Sequence, residues 1–153
     1  MRRKEKEITD AHIISEILNK AETVHFAMVD DHEPYAVTMN YGYRDHALYL
    51  HCAPEGRKID ILRRNSRVAF TVETDVSLSL GSEACQCTTI YKSVFGTGFA
   101  CFVEDLEGKK AALDIIMEKH SGPGNYTYPE ALLKRTAIIR VDIDFLSGKK
   151  SGC

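Results

Sequence analysis

Apolar residues recur along this chain at two periods, and the switches between them mark out its elements. Ile13, Ile14, Ile17, Leu18 and Ala21 follow a stripe of helical period, which predicts a helix entered at an N-cap of Thr9 or Asp10. Residues 23–29 are β-prone and close on the turn formers of 30–34. Residues 35–41 then alternate, with Tyr35, Val37, Met39 and Tyr41 on one face and Ala36, Thr38 and Asn40 on the other. A turn over 42–46 leads into a strand over 47–52, so this region predicts an antiparallel meander. After Pro54 and Gly56 comes a short helix carrying Ile59, Ile61 and Leu62, ended by Asn65.

The second half repeats the alternation. Residues 68–76 set Val68, Phe70 and Val72 against Ala69, Thr71 and Glu73, and the polar stretch 77–88 reads as a loop. Residues 89–103 predict a long strand with Tyr91, Ser93, Phe95, Thr97 and Phe99 on one face and Val94, Gly96, Gly98 and Ala100 on the other. Two alternate glycines strip side chains from that second face, which predicts a bulge or a close approach to the backbone. Asp105 caps a helix over 106–119 with a stripe of Ala112, Ile115 and Ile116, and Ser121-Gly122-Pro123-Gly124 stops it. Pro129 suits the first position of a brief helix reaching Lys134. A last strand over 136–145 places Ile139, Val141, Ile143 and Phe145 together, and 147–153 reads as a flexible tail after a single domain over 1–146. About six strands with hairpin connections predict a mainly β fold, a barrel with flanking helices, over a doubly wound sheet.

Composition narrows the function more than the fold. The chain has 153 residues and a net charge of −2, with no block of like charge that reads as a nucleic-acid arm. Met1-Arg2-Arg3-Lys4 is basic, but Glu5 and Glu7 follow and no apolar run does, so neither a signal peptide nor a membrane span is expected. Five cysteines, an odd number, suit free thiols in a reducing, cytoplasmic compartment. Cys85-Gln86-Cys87 is a lone close pair, too little for a closed zinc site, and no metal is expected.

The chemistry concentrates where the strand over 47–52 turns into the short helix. Arg57 and Lys58 stand in that helix's first turn, where free N–H groups and the positive dipole end already gather. Cations suit that position when an anion such as a phosphate sits among them; the alternative is a pair of solvated charges beside Glu55. His51 lies just before this turn, either as a functional imidazole or as a hydrogen-bonded, half-buried histidine. Thr38 and Asn40 are small polar groups of the kind that orient a heterocycle, or a plain solvent face. No nucleophile elbow or Walker loop is present, and Gly96-Thr97-Gly98 lacks the rest of a dinucleotide fingerprint. A bound redox cofactor could carry the reaction, leaving the protein to position and tune it.

The run His51-Cys52-Ala53-Pro54-Glu55-Gly56-Arg57-Lys58-Ile59-Asp60-Ile61-Leu62-Arg63-Arg64-Asn65 resembles the signature of nitroimidazole-resistance (Nim-type) proteins, members of the pyridoxamine phosphate oxidase-like, FMN-binding split-barrel superfamily. The start Met1–Lys4, the strand Pro34–Tyr41, and Tyr91–Gly98 leading into Val103-Glu104-Asp105 support it. The resemblance implies a six-stranded split barrel that dimerises, with FMN in clefts between subunits. It implies that Arg57 and Lys58 hold the phosphate. Thr38, Met39, Asn40, Tyr41 and the strand end His51, Cys52 and Ala53 would line the flavin and ribityl chain, and Ser93 would approach from one of the two subunits. It further implies a homodimeric oxidoreductase reducing a nitro-aromatic or similar small electron acceptor, with His51 nearest the reaction. The chain has no Trp and lacks the Arg/His C-terminal segment of true pyridoxamine phosphate oxidases, which argues against vitamin oxidation. A non-catalytic flavin- or nucleotide-phosphate-binding module is the alternative, as is a haem-binding split barrel with His51 on the iron.

Overall fold

The structure is a computed structural model describing residues 3–152. Met1 and Arg2 of the basic start, and the Cys153 thiol, lie outside the described residues. The strands are β1 (Glu7–Ile8), β2 (Thr23–Asp30), β3 (Glu33–Asn40), β4 (Gly42–Arg44), β5 (Ala47–Cys52), β6 (Arg67–Ser79), β7 (Thr88–Val103) and β8 (Ala137–Ser151). They form one antiparallel sheet in the order β3-β2-β6-β7-β8-β5-β4, with β1 added to β8. The helices are α1 (Ala11–Lys20), α2 (Arg57–Arg64), α3 (Leu106–Ser121) and α4 (Glu130–Lys134).

The sheet curls around an apolar interior. Phe26, Leu48, Leu50, Phe70, Val72, Val94, Ile139 and Val141 are all within 2% of full burial. Each such side chain contributes about 1.5–3 kcal/mol by leaving water. Ile14, Ile17 and Leu18 of α1 and Ile59, Ile61 and Leu62 of α2 join the same interior. Asp10 caps α1 by accepting from the His12 and Ile13 amides, and Asp105 caps α3 by accepting from Gly108. On the other side of the sheet, α3 presses Ala112, Ile115 and Ile116 toward β4 and β5. Gly42 permits that contact, since a Cβ there would sit 2.7 Å from Ile115 Cγ2.

Two lysines of α3 close the ends of other helices. Lys119 donates to the Leu18 and Asn19 carbonyls at the C-terminus of α1, at 2.6 and 2.8 Å, and lies 4.1 Å from the centre of the Tyr41 ring. Lys109 is buried and donates to the Leu133 and Thr136 carbonyls beside the end of α4, at 3.3 and 2.8 Å. Both place a cation at a negative helix end.

Several expectations are corrected. Among the described residues the sheet holds eight strands rather than about six, partly because the turn over 42–46 contains β4. Asp45 and His46, both at positive φ, make the two-residue turn that pairs Arg44 with Ala47. The polar stretch 77–88 is not all loop: β6 runs to Ser79 by pairing with residues 88–90, although Leu78 and Leu80 stay exposed. Main-chain pairing, rather than burial, holds this extension, so hydrophobic alternation does not report it.

The tail expected over 147–153 is strand as far as Ser151. Gly148 and Lys149 are held between β7 on one side and β1 on the other. Pro129 is the N-cap of α4 rather than its first residue. Phe145 leaves the face of Ile143, because β8 carries an extra residue, Asp144, where Thr97 pairs with Phe145 and Gly98 with Ile143. Thr97 donates to Asp144 at 2.7 Å and Arg67 also hydrogen-bonds it, so the bulged residue is tied down. The Thr97 hydrogen bond, then Arg67, hold its carboxyl below the usual range.

Candidate cofactor site at the start of α2

β5 delivers the site to α2. Leu48 and Leu50 point into the interior, which leaves Tyr49 and His51 on the other face. The chain then turns, and Gly56 caps α2 at φ 118°. That conformation favours glycine, and a Cβ at this position would meet nothing within 4 Å. Among the described residues no side chain caps the helix, and its first-turn N–H groups are left with Arg57 and Lys58 beside them.

The two cations have different surroundings. Arg57 stacks 4.7 Å from the centre of the Tyr35 ring and lies 3.9 Å from Glu33, a loose and exposed pairing. Lys58 is half-buried, and its Nζ donates to Met39 Sδ at 3.3 Å. Lys58 also acts on His51 and Cys52. Desolvation of the His51 ring by its walls comes first, followed by Lys58 and His120, and together they lower its pKa. Burial pushes the Cys52 thiol up against the opposing pull of Lys58. An uncapped helix start with two cations fits a phosphate, and the open space at Gly56 leaves room for one.

The structure therefore gathers Met39, His51, Cys52 and Lys58 into one cluster, with Arg57 at its edge and Ala53 exposed in the connecting turn. Thr38 and Asn40 lie exposed on the face of β3 opposite Met39, on an edge strand, and the structure does not bring them to that cluster. Tyr41 does not join them through its side chain. Its ring is fully buried and its hydroxyl donates to the Leu18 carbonyl, which leaves the phenol in the core. Burial raises that phenol far above its ordinary value. Ser93 also stands apart: it pairs with Glu73 and Lys149 in the middle of the sheet.

Three side chains beside the site escaped the sequence reading. His120, from the end of α3, faces His51 electrostatically, and its Nε2 donates to the Tyr41 carbonyl at 3.2 Å. Nothing in local sequence links it to residues some 70 positions earlier. His25 and Glu73 form a chain with Thr38, in which His25 Nδ1 is 3.3 Å from Thr38 Oγ1 and His25 Nε2 is 3.0 Å from Glu73 Oε1. Strand alternation predicts that His25 points outward, but only the register reveals its partners. Among the described residues no group of three His, Cys, Asp or Glu is placed to hold a metal, and Cys85 and Cys87 are exposed thiols in the hairpin loop.

The start of α2 is open in the single chain. Grooves of about 510 and 560 Å³ lie along α1 and β1, lined by residues such as Ile13, Lys20, Asp75 and Lys92. A small cavity of about 140 Å³ lies behind α2, where Pro54, Ile59 and Arg63 meet β8.

The fold and this site define a class: a mainly antiparallel split barrel with flanking helices and an anion-ready helix start beside a His–Cys strand end. Residues 10–150 match the family model described as Pyridoxamine 5'-phosphate oxidase, and the chain belongs to that family. It is similar, at 32% identity and a TM-score of 0.84, to a crystal structure from Bacteroides thetaiotaomicron described as a candidate 5-nitroimidazole antibiotic resistance protein; the match covers 94% of this chain and 86% of that one. A FAD-binding protein from Mesorhizobium loti matches at 25% identity, with a TM-score of 0.68 over 94% of this chain and 96% of that one. The FAD and heme binding protein from Mycobacterium smegmatis shares the fold at a TM-score of 0.87 and 18% identity, over 97% of this chain and 74% of that one. No curated protein matches the chain.

Proposed function

We propose that this chain is an FMN-dependent oxidoreductase of the cytoplasm, working as a homodimer and reducing a nitro-aromatic or similar small acceptor. The observation that carries this reading is the uncapped start of α2, with Arg57 and Lys58 in its first turn and Lys58 set against Met39 beside His51. The family match and the nitroimidazole-resistance relative support it. Bound FMN would supply reversible electron transfer to an organic acceptor.

The residues divide the work. The N–H groups of the first turn, Arg57 and Lys58 hold the phosphate, with Arg57 exchanging its loose contact to Glu33 for the stronger anion. Met39, Cys52 and Ala53 form the wall, and Thr38 and Asn40 supply polar contacts at the β3 edge. His51 delivers a proton as the acceptor takes up electrons. Desolvation, then Lys58 and His120, lower its pKa in the empty site, and a phosphate dianion beside Lys58 offsets the second of those causes, which favours the protonated imidazole.

A second copy completes the site. Phe95, Phe99 and Phe145 are 46%, 51% and 53% exposed on the outer face of β7 and β8, and Phe95 and Phe145 pack edge to face at 6.4 Å. Such a ridge suits a subunit interface. Thr38 and Phe95 share one transverse row of the sheet, through His25 and Thr71, at about 14 Å for three strand spacings. Ser93 of one copy would then reach the cofactor of the other.

The test is anaerobic stopped-flow reoxidation of the photoreduced, FMN-loaded dimer by a nitroimidazole. Wild type should be reoxidised, and His51→Ala should slow this at least ~10-fold while FMN stays bound, since positioned acid catalysis contributes ~10²–10⁴-fold. The wild-type rate should rise as pH falls and His51 takes up its proton, and the variant should lose that dependence. Wild type that is not reoxidised by any nitro compound or quinone would instead identify a non-catalytic binding module.

A further inference from the structure

We propose that Glu73 and His25 fix the polarity of the Thr38 hydroxyl, so that it presents only an acceptor to a ligand and selects a flavin ring with an unsubstituted imide N–H. The proposal rests on the flavin reading above and concerns residues to which that reading gives no role.

The argument follows from donor and acceptor chemistry. A carboxylate only accepts, so His25 Nε2, 3.0 Å from Glu73 Oε1, carries a hydrogen, and in the singly protonated ring it is the only one. Nδ1 is then bare and can only accept. Thr38 Oγ1 lies 3.3 Å from it, and the one hydrogen available to that contact belongs to the hydroxyl. Thr38 therefore donates to His25, and its remaining lone pairs face outward as acceptors. Sheet register builds this chain: Thr38 pairs with His25 across β3 and β2, His25 pairs with Thr71 across β2 and β6, and Glu73 is the next residue of β6 on that face.

An outward acceptor at the β3 edge suits an N–H donor and leaves a carbonyl unsatisfied. The oxidised isoalloxazine ring offers one N–H, that of its imide at N3, between two carbonyls. Thr38 is thereby matched to the N–H rather than to its neighbours, and Glu73 acts as a positioning residue two side chains removed from the ligand.

The experiment compares binding of FMN and 3-methyl-FMN to the full chain at mildly alkaline pH by quenching of flavin fluorescence. Wild type should prefer FMN at least ~10-fold, because the methyl removes the donor and leaves the acceptor unpaired. Glu73→Gln can donate to Nε2 as well as accept, which frees the tautomer, and His25→Phe removes the ring nitrogens. Each variant should still bind FMN yet prefer it by less than ~3-fold; circular dichroism confirms the fold, and either variant suffices. A preference that persists in both variants reports steric exclusion of the methyl and overturns the relay, while FMN binding itself stands. Failure of wild type to bind FMN overturns the flavin reading and the relay together.

Discussion

Gly96 tests how closely the barrel is packed. A Cβ at this position would lie 2.2 Å from Cζ of Phe70, 2.6 Å from its Cε1 and 2.9 Å from Cδ2 of Leu146. Ordinary contact begins near 3.4 Å, so Gly96→Ala asks the Phe70 ring to retreat by roughly 1 Å into an interior packed to crystal density. Phe70 is 2% exposed and shares the core with Phe26 and Val72, which leaves it nowhere to go. Overpacking of this kind costs about 1–3 kcal/mol, and the depth of the clash places this one at about 2–3 kcal/mol. For a domain of this size that lowers Tm by about 4–12 °C. Thermal and urea unfolding at fixed protein concentration would measure it. The decisive comparison repeats the substitution in a Phe70→Leu background, where the ring is gone and the added penalty should fall below about 1 kcal/mol. An unchanged penalty there, or none in the parent, would refute the packing argument.

Other perturbations address separate parts of the structure. Desolvation lowers Lys119 from 10.5 to about 8. Between those values the unfolded chain holds a proton that the folded chain has released, so this group makes stability rise with pH. Relative to Lys119→Met, wild type should gain about 1–2 kcal/mol across that window, discounted because the side chain is partly exposed; a constant difference would contradict the desolvation. Phe145→Lys puts a charge on the outer ridge and should weaken the dimer at least ~10-fold in sedimentation, the loss of one buried aromatic being worth about 1.5–3 kcal/mol. A variant as dimeric as wild type would move the interface elsewhere.

The sequence shows the interior of this fold better than its edges. Residues that face the core alternate or repeat, as Val68, Phe70 and Val72 do, and the structure buries all three. The two alternate glycines proved to have different causes: Gly96 yields to the Phe70 ring, and Gly98 lies at the register shift where its Cβ would be 2.3 Å from the Asp142 carbonyl. That shift reverses the parity of β8, which is why Phe145 faces outward although simple alternation turns it in. The extended ends of β6 and β8 are held by main-chain pairing, to which side-chain pattern is blind. At the candidate site, the placing of Arg57 and Lys58 in a helix's first turn was legible because two cations at that end run against the dipole. His25, Glu73 and His120 were not, because their roles come from register and from the return of α3 toward Tyr41. Tyr41 misled for a related reason: it continues the β3 alternation but belongs to the core beneath α1.

The central claim is that the start of α2 binds the phosphate of a flavin. Titrating the cofactor-free protein with FMN and with riboflavin tests it most directly, because the two differ only in the phosphate. Hydrogen bonds to a charged group are worth about 1.5–3 kcal/mol each, so wild type should prefer FMN by at least ~100-fold. Lys58→Ala and Arg57→Ala should each weaken FMN at least ~10-fold and leave riboflavin nearly unchanged. Equal affinity for the two flavins, or an FMN affinity indifferent to both substitutions, would contradict the account.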